Sequence, residues 1–442
     1  MKKRTLLTAS LALMLCPPLA YAQTDARHPL TLEQLFTLAD RNSKSLRPAV
    51  TGVAEAGQAV EAAQRARLPD INASLSGSFL GNGCLIDRDL GSGMKAPMPH
   101  WGNNFALEVT QVIYAGGALD GAVALSRLQA ESARQTLAAD RNKVRFLALG
   151  YYLDLFKQQN LLQVYDRHIE LTRRTLRDMR ARSAQGIMLK NDVTRYELLL
   201  AQLELTRTQL RNTLGILNHD LATTLGLPDG TVVAPDTTLL QRSLPTDDRT
   251  CWLERAQTQS PTLRQLDLAT AMSRTQEKLV RSSLRPQVAL VAAEHFDGPI
   301  TIEVPPIDKN FNYWYVGLGV KYNLSALFKT PKSLRRQQLA TRRNQEIAED
   351  ARKQTSLVIH AGYTRYREAY EQLRTREKSV ELARQNYDVI AHRYANELAL
   401  VTDLLDAANA RLSAEVELAN ARIDIVYQYY KLHYLAGTLQ DN

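Results

Sequence analysis

The chain has 442 residues, of which 45% are hydrophobic and 23% are charged, and its formal net charge is +9 at pH 7. Three cysteines in a chain of this length exclude a disulfide framework. A basic balance can indicate a nucleic acid or an anionic surface as the partner. Charges of both signs alternate along the predicted helices, as in 173–182, and this pattern favours an ordinary solvated surface.

The first 22 residues have the pattern of a secretory signal peptide. Three basic residues precede an apolar run over 6–15, and a small-x-small site follows at 20–22, so we expect the exported chain to begin near Gln23. The apolar run is too short to span a bilayer. Loss of the signal lowers the formal net charge to +6 and leaves Cys84 and Cys251, which we do not expect to pair.

The next segment predicts a helix followed by a β-hairpin. Residues 30–67 have a helical pattern, and Thr31 with Gln34 has the spacing of a capping box. The hydrophobic period then changes to two, which predicts strands at about 69–80 and 104–115 around a loop rich in glycine and asparagine.

A very long helix is predicted after the hairpin. Residues 118–182 contain no proline and have apolar residues every seventh position, at Leu155, Leu162, Ile169 and Leu176. A helix of this length would extend over roughly 100 Å. A break around Gly186 precedes a second helix at 191–225.

The same order of elements then occurs a second time. Asp192 and Asp403 lie at matching places, 211 positions apart, and a Gly-Tyr pair recurs at nearly the same offset. Such a repeat indicates one supersecondary unit built twice. The predicted units are 23–228 and 251–437, with a linker at 229–250 and a tail at 438–442. In the second unit we predict helix over 251–283, strands at about 286–296 and 313–324, and helices at about 331–396 and 402–436.

The four predicted strands have one apolar face each and suit tilted membrane strands. Four strands cannot close a barrel, and an open sheet edge in lipid leaves backbone groups without hydrogen-bond partners. The strands therefore lie either in a soluble sheet or in a barrel that several copies share. Three copies would supply twelve strands, and the long helices would continue from the barrel as a coiled-coil tube.

Over nearly the whole mature sequence, the chain resembles the TolC family of outer-membrane efflux proteins. The duplicated order of elements, the strand exit QVIYAGG at 111–117, and the segment Asp403-Leu-Leu-Asp406-Ala407 after the second break carry this resemblance. It implies a mainly helical homotrimer: a twelve-stranded barrel in the outer membrane on an α-helical tunnel in the periplasm. Such a protein is the exit duct of a tripartite efflux or type I secretion system, with a periplasmic adaptor (membrane fusion) protein and an inner-membrane pump as partners and no cofactor.

The resemblance also suggests roles for acidic residues at the second break. Asp403 and Asp406 match the positions of acidic rings at the periplasmic aperture of the family's tunnel. Residues three apart share a helix face, so threefold symmetry would bring their carboxylates around one opening, where they would favour cations and bind polyvalent ones. Without the repeat and the resemblance, two exposed acids on a helix would be the ordinary interpretation.

Asp192 and Tyr394 match family positions that help to hold the aperture closed. Some members have an arginine where this chain has Ala399, so that closing contact cannot form here. Either Arg393 replaces it or the resting pore is less tightly shut. Glu397 stands where glycine is usual, and it predicts either a different turn or a surface contact.

The two breaks are apolar for exposed turns, and two interpretations stay open. The resemblance implies docking of the adaptor's helical hairpin, and apolar tips suit docking; local packing between adjacent tips is the alternative. The residues concerned are Gly186, Ile187, Met188, Leu189, Leu398, Ala399, Leu400 and Val401.

Neither catalysis nor a metal site is expected. The eight histidines are scattered, and the sequence has no His-Glu-x-x-His, no Gly-x-Ser-x-Gly and no phosphate-binding glycine loop. Met179 and Met188 are isolated from other thioether or thiol ligands. A soluble periplasmic coiled-coil tether or adaptor without a pore is the alternative function. It would share the long helices, but it would not need four strands with one lipid-suited face.

Overall fold

The computed structural model describes residues 28–228, 230–241, 244, 245, 247–303 and 306–439. The predicted signal peptide at 1–22 lies outside these residues. The described chain is mainly helical and contains a sheet, which confirms the predicted fold class at that level. In these ranges, no helix combines the length and the apolar character that a membrane span requires.

The elements of the chain follow one order twice. The first series is β1 (His28–Leu30), α1 (Leu32–Asn42), α2 (Arg47–Arg65), β2 (Asp70–Phe79), β3 (Gly83–Ile86), β4 (Gly93–Ala96), β5 (Trp101–Tyr114), α3 (Ala118–Ala184) and α4 (Lys190–Leu225). The second series is β6 (Val233–Pro235), a 3-10 helix (Thr237–Gln241), α5 (Arg249–Gln259), α6 (Pro261–Ser282), β7 (Gln287–Gly298), β8 (Phe311–Lys321), α7 (Ala326–Ala395) and α8 (Val401–Ala436).

Two predicted helices, at 30–67 and 251–283, are each divided in the structure. Ser43 ends α1 with φ −61° and ψ 118°, and Ser260 ends α5 with almost the same angles. At Ser260 the following Pro261 is the reason, because the residue before a proline is pushed from helical into extended backbone. The hydrophobic period continues across the interruptions at Ser43 and Ser260, so periodicity alone did not reveal them.

Three other boundaries differ from the predicted ones. The loop between the first two strands contains the short β3–β4 hairpin. Strand β5 begins at Trp101, earlier than predicted, because its first residues continue the ladder with β2. Helix α7 begins at Ala326, so Pro331 lies inside the helix rather than at its start.

The long strands form one antiparallel sheet in the order β2-β5-β7-β8. Ile71, Val109, Ala292 and Val316 lie in one row across it, and such rows give the sheet an apolar face. Glu294 is a charged exception on that face, between Leu107 and Trp314. Every residue of the edge strands β2 and β8 is exposed.

The long helices run from this sheet to the two breaks. Helix α3 has 67 residues and α7 has 70, which corresponds to about 100 Å each. They pack with α4 and α8 respectively, and α3 also packs against α8. Of the predicted every-seventh positions along α3, Leu155, Ile169 and Leu176 are buried and Leu162 is half-buried, which agrees with a heptad seam.

Two separate apolar clusters hold the helices together. The larger cluster lies near the middle of the molecule and includes the fully buried Trp252 and Tyr152. The Tyr152 hydroxyl donates to the carbonyl oxygen of Leu30 and accepts from the backbone N–H of Asp236, both at 2.7 Å, and so fixes two peripheral segments to α3. The second cluster, which we call the tip cluster, lies beside the two breaks. Its buried members are Leu176, Met179, Tyr196, Tyr387, Val401, Leu404 and Ala407.

Candidate functional site

The two helix breaks have the same turn. In the first, the N–H groups of Gly186 and Ile187 donate to the carbonyls of Ser183 and Arg182; in the second, Glu397 and Leu398 repeat these bonds one repeat later. This pattern is the Schellman motif, which needs a left-handed residue after the helix. Gly186 has φ +78° and Glu397 has φ +59°. Glu397 therefore makes the same turn as Gly186, because the hydrogen bonds of the motif impose the left-handed conformation on a glutamate as well, and of the two expected alternatives the surface contact remains a prediction.

The helices that follow the breaks begin without a polar capping residue. Leu189 and Leu400 occupy the N-cap positions in extended conformation. In the second break, Oδ2 of Asp403 accepts the backbone N–H of Leu400 at 3.0 Å, and so caps α8 from the third helical position. Asp403 therefore has a local structural role that does not depend on any other copy of the chain.

Asp403 and Asp406 lie on the exposed side of α8. Val401, Leu404 and Ala407, which alternate with them along the helix, are buried in the tip cluster. The apolar contacts consequently fix the rotation of α8 and direct both carboxylates away from the chain's own core. This is the arrangement that an acidic ring would need, and it is also that of an ordinary solvated helix face.

Tyr394 and Asp192 lie near each other where the two breaks meet. The Tyr394 hydroxyl donates to Sδ of Met188 at 3.6 Å, which joins α7 to the first break. Burial raises the pKa of Tyr394, the negative charge of Asp192 raises it further, and the positive charge of Arg182 opposes them. The phenol is thus neutral and available as a donor at physiological pH.

Arg182 makes the side-chain connection between the breaks that sequence reasoning missed. Its Nη1 and Nη2 both donate to the carbonyl oxygen of Ala395, at 3.4 Å each. That carbonyl lies in the last turn of α7, where helix carbonyls have no intrahelical partner. Together with the Tyr394–Met188 bond, the Arg182 contact gives two hydrogen-bonded side-chain connections between the two breaks within the described residues. A cavity of about 160 Å³ lies at this junction and is lined by Arg182, Met188, Tyr394 and their neighbours.

The apolar residues of the breaks divide into two groups. Ile187, Leu189, Leu398 and Leu400 have between 58 and 71% of their surface exposed. Val401, by contrast, is buried in the tip cluster, and Met188 packs against that cluster half-buried. Local packing therefore accounts for two of the predicted docking residues, whereas the four exposed ones form the apolar surface of the tip.

The described residues contain no group of three or more His, Cys, Asp or Glu side chains placed to hold a metal ion. Cys84 is exposed on β3 and Cys251 lies on α5, and both are free thiols. The tip carries hydrogen-bonding and apolar groups, which suit contact with another protein surface. Its acidic groups suit the selection of ions by charge.

Sequence comparison finds no matching protein-family model and no matching curated protein. Solved structures do match. The outer-membrane channel OprN superposes with a TM-score of 0.77 at 19% identity, over 92% of this chain and 90% of that one. The outer membrane protein VceC of Vibrio cholerae gives 0.75 at 16%, over 92% and 97%. The chain has the fold of the outer-membrane channels.

A third solved structure also matches over most of the chain. The open state of the Neisseria gonorrhoeae MtrE outer membrane channel superposes with a TM-score of 0.74 at 14% identity, over 93% of this chain and 90% of that one. These structural neighbours are channel proteins rather than enzymes. At such low identity the similarity concerns the fold, and the function has to be argued from this chain's own residues.

Proposed function

We propose that this protein is a TolC-family exit duct of the outer membrane, which passes substrates from a periplasmic adaptor and an inner-membrane pump to the exterior. In this proposal three copies form a twelve-stranded barrel, and their long helices form a tunnel in the periplasm. The duct serves a tripartite efflux or type I secretion system. The fold of the outer-membrane channels supports this assignment.

The open four-stranded sheet is the observation that carries the proposal. Its edge strands β2 and β8 lie at opposite sides of the sheet, and one face is apolar. Unpaired edges with an apolar face aggregate in water and are unstable in lipid unless the sheet closes. Pairing β2 of one copy with β8 of the next closes a barrel of twelve strands after three copies.

Exposed apolar residues on the helices support the same assembly. Leu198 and Leu205 lie seven residues apart on α4, and Leu382 and Val389 lie seven apart on α7, each with more than half of its surface exposed. Heptad spacing is typical of helices that pack side by side. A monomer leaves these stripes in water, whereas neighbouring copies in a tube would cover them.

The tip is the proposed docking and selection end of the duct. The exposed Ile187, Leu189, Leu398 and Leu400 offer a small apolar surface to the adaptor's helical hairpin. Asp403 and Asp406 would line the aperture, and Asp192, Tyr394 and the neighbouring Arg182 would help to hold it closed.

The first test is assembly and conduction. Purified protein in detergent should behave as a trimer, and in a planar bilayer it should form small, cation-selective pores that divalent cations block. Protein that remains soluble and monomeric without detergent and forms no pore would exclude the duct and favour the coiled-coil tether.

Asp406 provides the sharper test of the aperture, because Asp403 also caps α8. For Asp406→Asn we expect the divalent-cation concentration for half block to rise about tenfold, since the ring loses charge while the helix is kept; tenfold corresponds to about 1.4 kcal/mol of binding. Glu397→Gln is the matched control, since it removes an exposed acid from the same tip outside the proposed ring. Equal block in both variants would place the cation site elsewhere.

A further inference from the structure

A buried histidine–glutamate pair and two more exposed arginines join three helices above the tip cluster. Glu415 of α8 is at its centre and has 6% of its side chain exposed; His168 of α3 has 7%. Nε2 of His168 and Oε2 of Glu415 are 3.2 Å apart. The other carboxylate oxygen accepts from Nε of Arg384 on α7 at 2.8 Å and from Nε of Arg411 at 3.3 Å. None of these residues is part of the proposed aperture.

The carboxylate of Glu415 already has two cationic partners without a proton on His168. Burial alone would raise the pKa of Glu415, but the hydrogen bond and charge of Arg384 outweigh it, so the pKa is lowered and the carboxylate is ionised. Burial lowers the pKa of His168, and Arg411 and Arg167 lower it further, against the opposing effect of Glu415. At neutral pH the imidazole is uncharged and donates its Nε2–H to Glu415.

The bonds to Glu415 differ in which helices they connect. Arg384 connects α7 with α8, two helices that are joined directly through the second break. His168 connects α8 with α3, which belongs to the other half of the repeat. Lys157, which pairs with Asp424 at 2.6 Å, is a second connection between α3 and α8. Protonation of His168 in acid therefore acts on the α3–α8 contact and leaves the Arg384 bond between α7 and α8 intact.

We propose that His168, acting through Glu415, is a proton-responsive positioning residue that holds α8 against α3 and releases it in acid. Glu415 lies twelve positions after Asp403 on the same continuous helix, which corresponds to about 18 Å. Because a helix transmits displacement along its axis, loosening at Glu415 moves the exposed acids of the tip. The consequence for conduction rests on the proposed duct function, whereas the release of α8 does not.

The direction of the effect follows from the charges around the imidazole. A protonated His168 adds a further cation to a buried site whose one carboxylate already has two arginine partners, and uncompensated buried charge is costly. The packing of α8 on α3 at this site is thus fully stable above the ordinary histidine pKa of about 6.5 and is weakened as pH falls below it, because burial, with Arg411 and Arg167, disfavours the imidazolium more than Glu415 favours it. The charged groups around His168 are Glu415 and Arg411 of α8, Arg384 and Asp388 of α7, Arg167 of α3, and, beside the neighbouring α4, the Asp166–Arg207 pair.

The experiment measures pore current as the pH on the tip side falls from about 7.5 to about 5.5, a range that spans the ordinary histidine pKa. We expect the current of the wild-type protein to rise severalfold. His168→Gln keeps a hydrogen-bond donor toward Glu415 but cannot titrate. Over the whole pH range its current should therefore stay at the level that the wild type shows at about pH 7.5. His392→Gln, at an exposed histidine nearer the tip, should respond like the wild type. The proposal is overturned if the current of His168→Gln rises in acid as much as that of the wild type, or if the current of His392→Gln does not rise.

Backbone hydrogen exchange of the wild-type protein tests the release of α8 without any variant and without a pore. After correction for the intrinsic pH dependence of exchange, amides around Glu415 should exchange severalfold faster at the acid end of the range, while those of α7 around Arg384 change little. Equal exchange at both pH values overturns the proposal. If no pore forms but this acceleration is observed, the duct function fails and the positioning role of His168 stands.

Discussion

Replacing Glu397 by glycine should stabilise the second break. Glu397 has φ +59°, and its side chain is exposed, so the substitution relieves backbone strain while it removes little packing. The equivalent position of the first break is already glycine, Gly186, in the same hydrogen-bonding pattern.

The magnitude follows from two opposing contributions. A left-handed backbone costs a residue other than glycine about 1–2 kcal/mol. Glycine in turn loses more freedom on folding, which costs about 0.5–1 kcal/mol. The net gain is therefore about 0.5–1 kcal/mol, which corresponds to a factor of about two to five in a local opening equilibrium.

Hydrogen exchange of the turn is the suitable assay, because the Leu398 N–H donates to the carbonyl of Arg393 at 2.8 Å and is exposed to exchange when the turn opens. In Glu397→Gly this amide should exchange about two to five times more slowly. The reverse change, Gly186→Ala, should accelerate exchange at Ile187 by a similar factor. A Cβ at Gly186 would have no atom within 4 Å, so this variant tests backbone conformation alone.

Unchanged or faster exchange at Leu398 in Glu397→Gly would refute this reasoning. It would mean that the glutamate side chain stabilises the turn by more than the strain it imposes. An effect at Leu398 without the opposite effect at Ile187 would show that the two breaks are not energetically equivalent.

Two further predictions concern the joints between helices. Tyr152→Phe removes two buried hydrogen bonds, to Leu30 and Asp236, and should lower the free energy of unfolding by about 1–3 kcal/mol in denaturant titrations followed by helical circular dichroism. Burial raises the pKa of Tyr152 to about 12, so its contribution should persist up to about pH 10 and decline towards pH 12, a decline absent from the phenylalanine variant. Arg182→Ala should increase pore current at neutral pH, since it removes the bond to the last turn of α7. Arg180→Ala, which breaks a bond within the α3–α4 pair, is its control, and equal currents in the two variants would exclude a closing role for Arg182.

The elements that sequence reasoning located are those with local signals. Alternation of apolar residues placed the long strands, seventh-residue spacing placed α3, and Gly186 marked the break after it. Each signal comes from residues within a few turns or strand positions of one another. Each signal reflects the period of the helix or strand backbone, so it can be recognised from neighbouring residues in the sequence.

The contacts that hold the tip together could not be predicted from such local patterns. The sequence does not decide between a different turn and a surface contact at Glu397, because a glutamate gives no local sign of left-handed backbone. His168 and Glu415 are 247 residues apart, and Arg182 and Ala395 are 213 apart. The repeat and the helical periods thus follow from the sequence by itself. Only the tertiary structure decided which side chains meet between the repeats. The packing of α3 against α8 sets the axial position and rotation of the two helices, and these determine which distant residues are in contact.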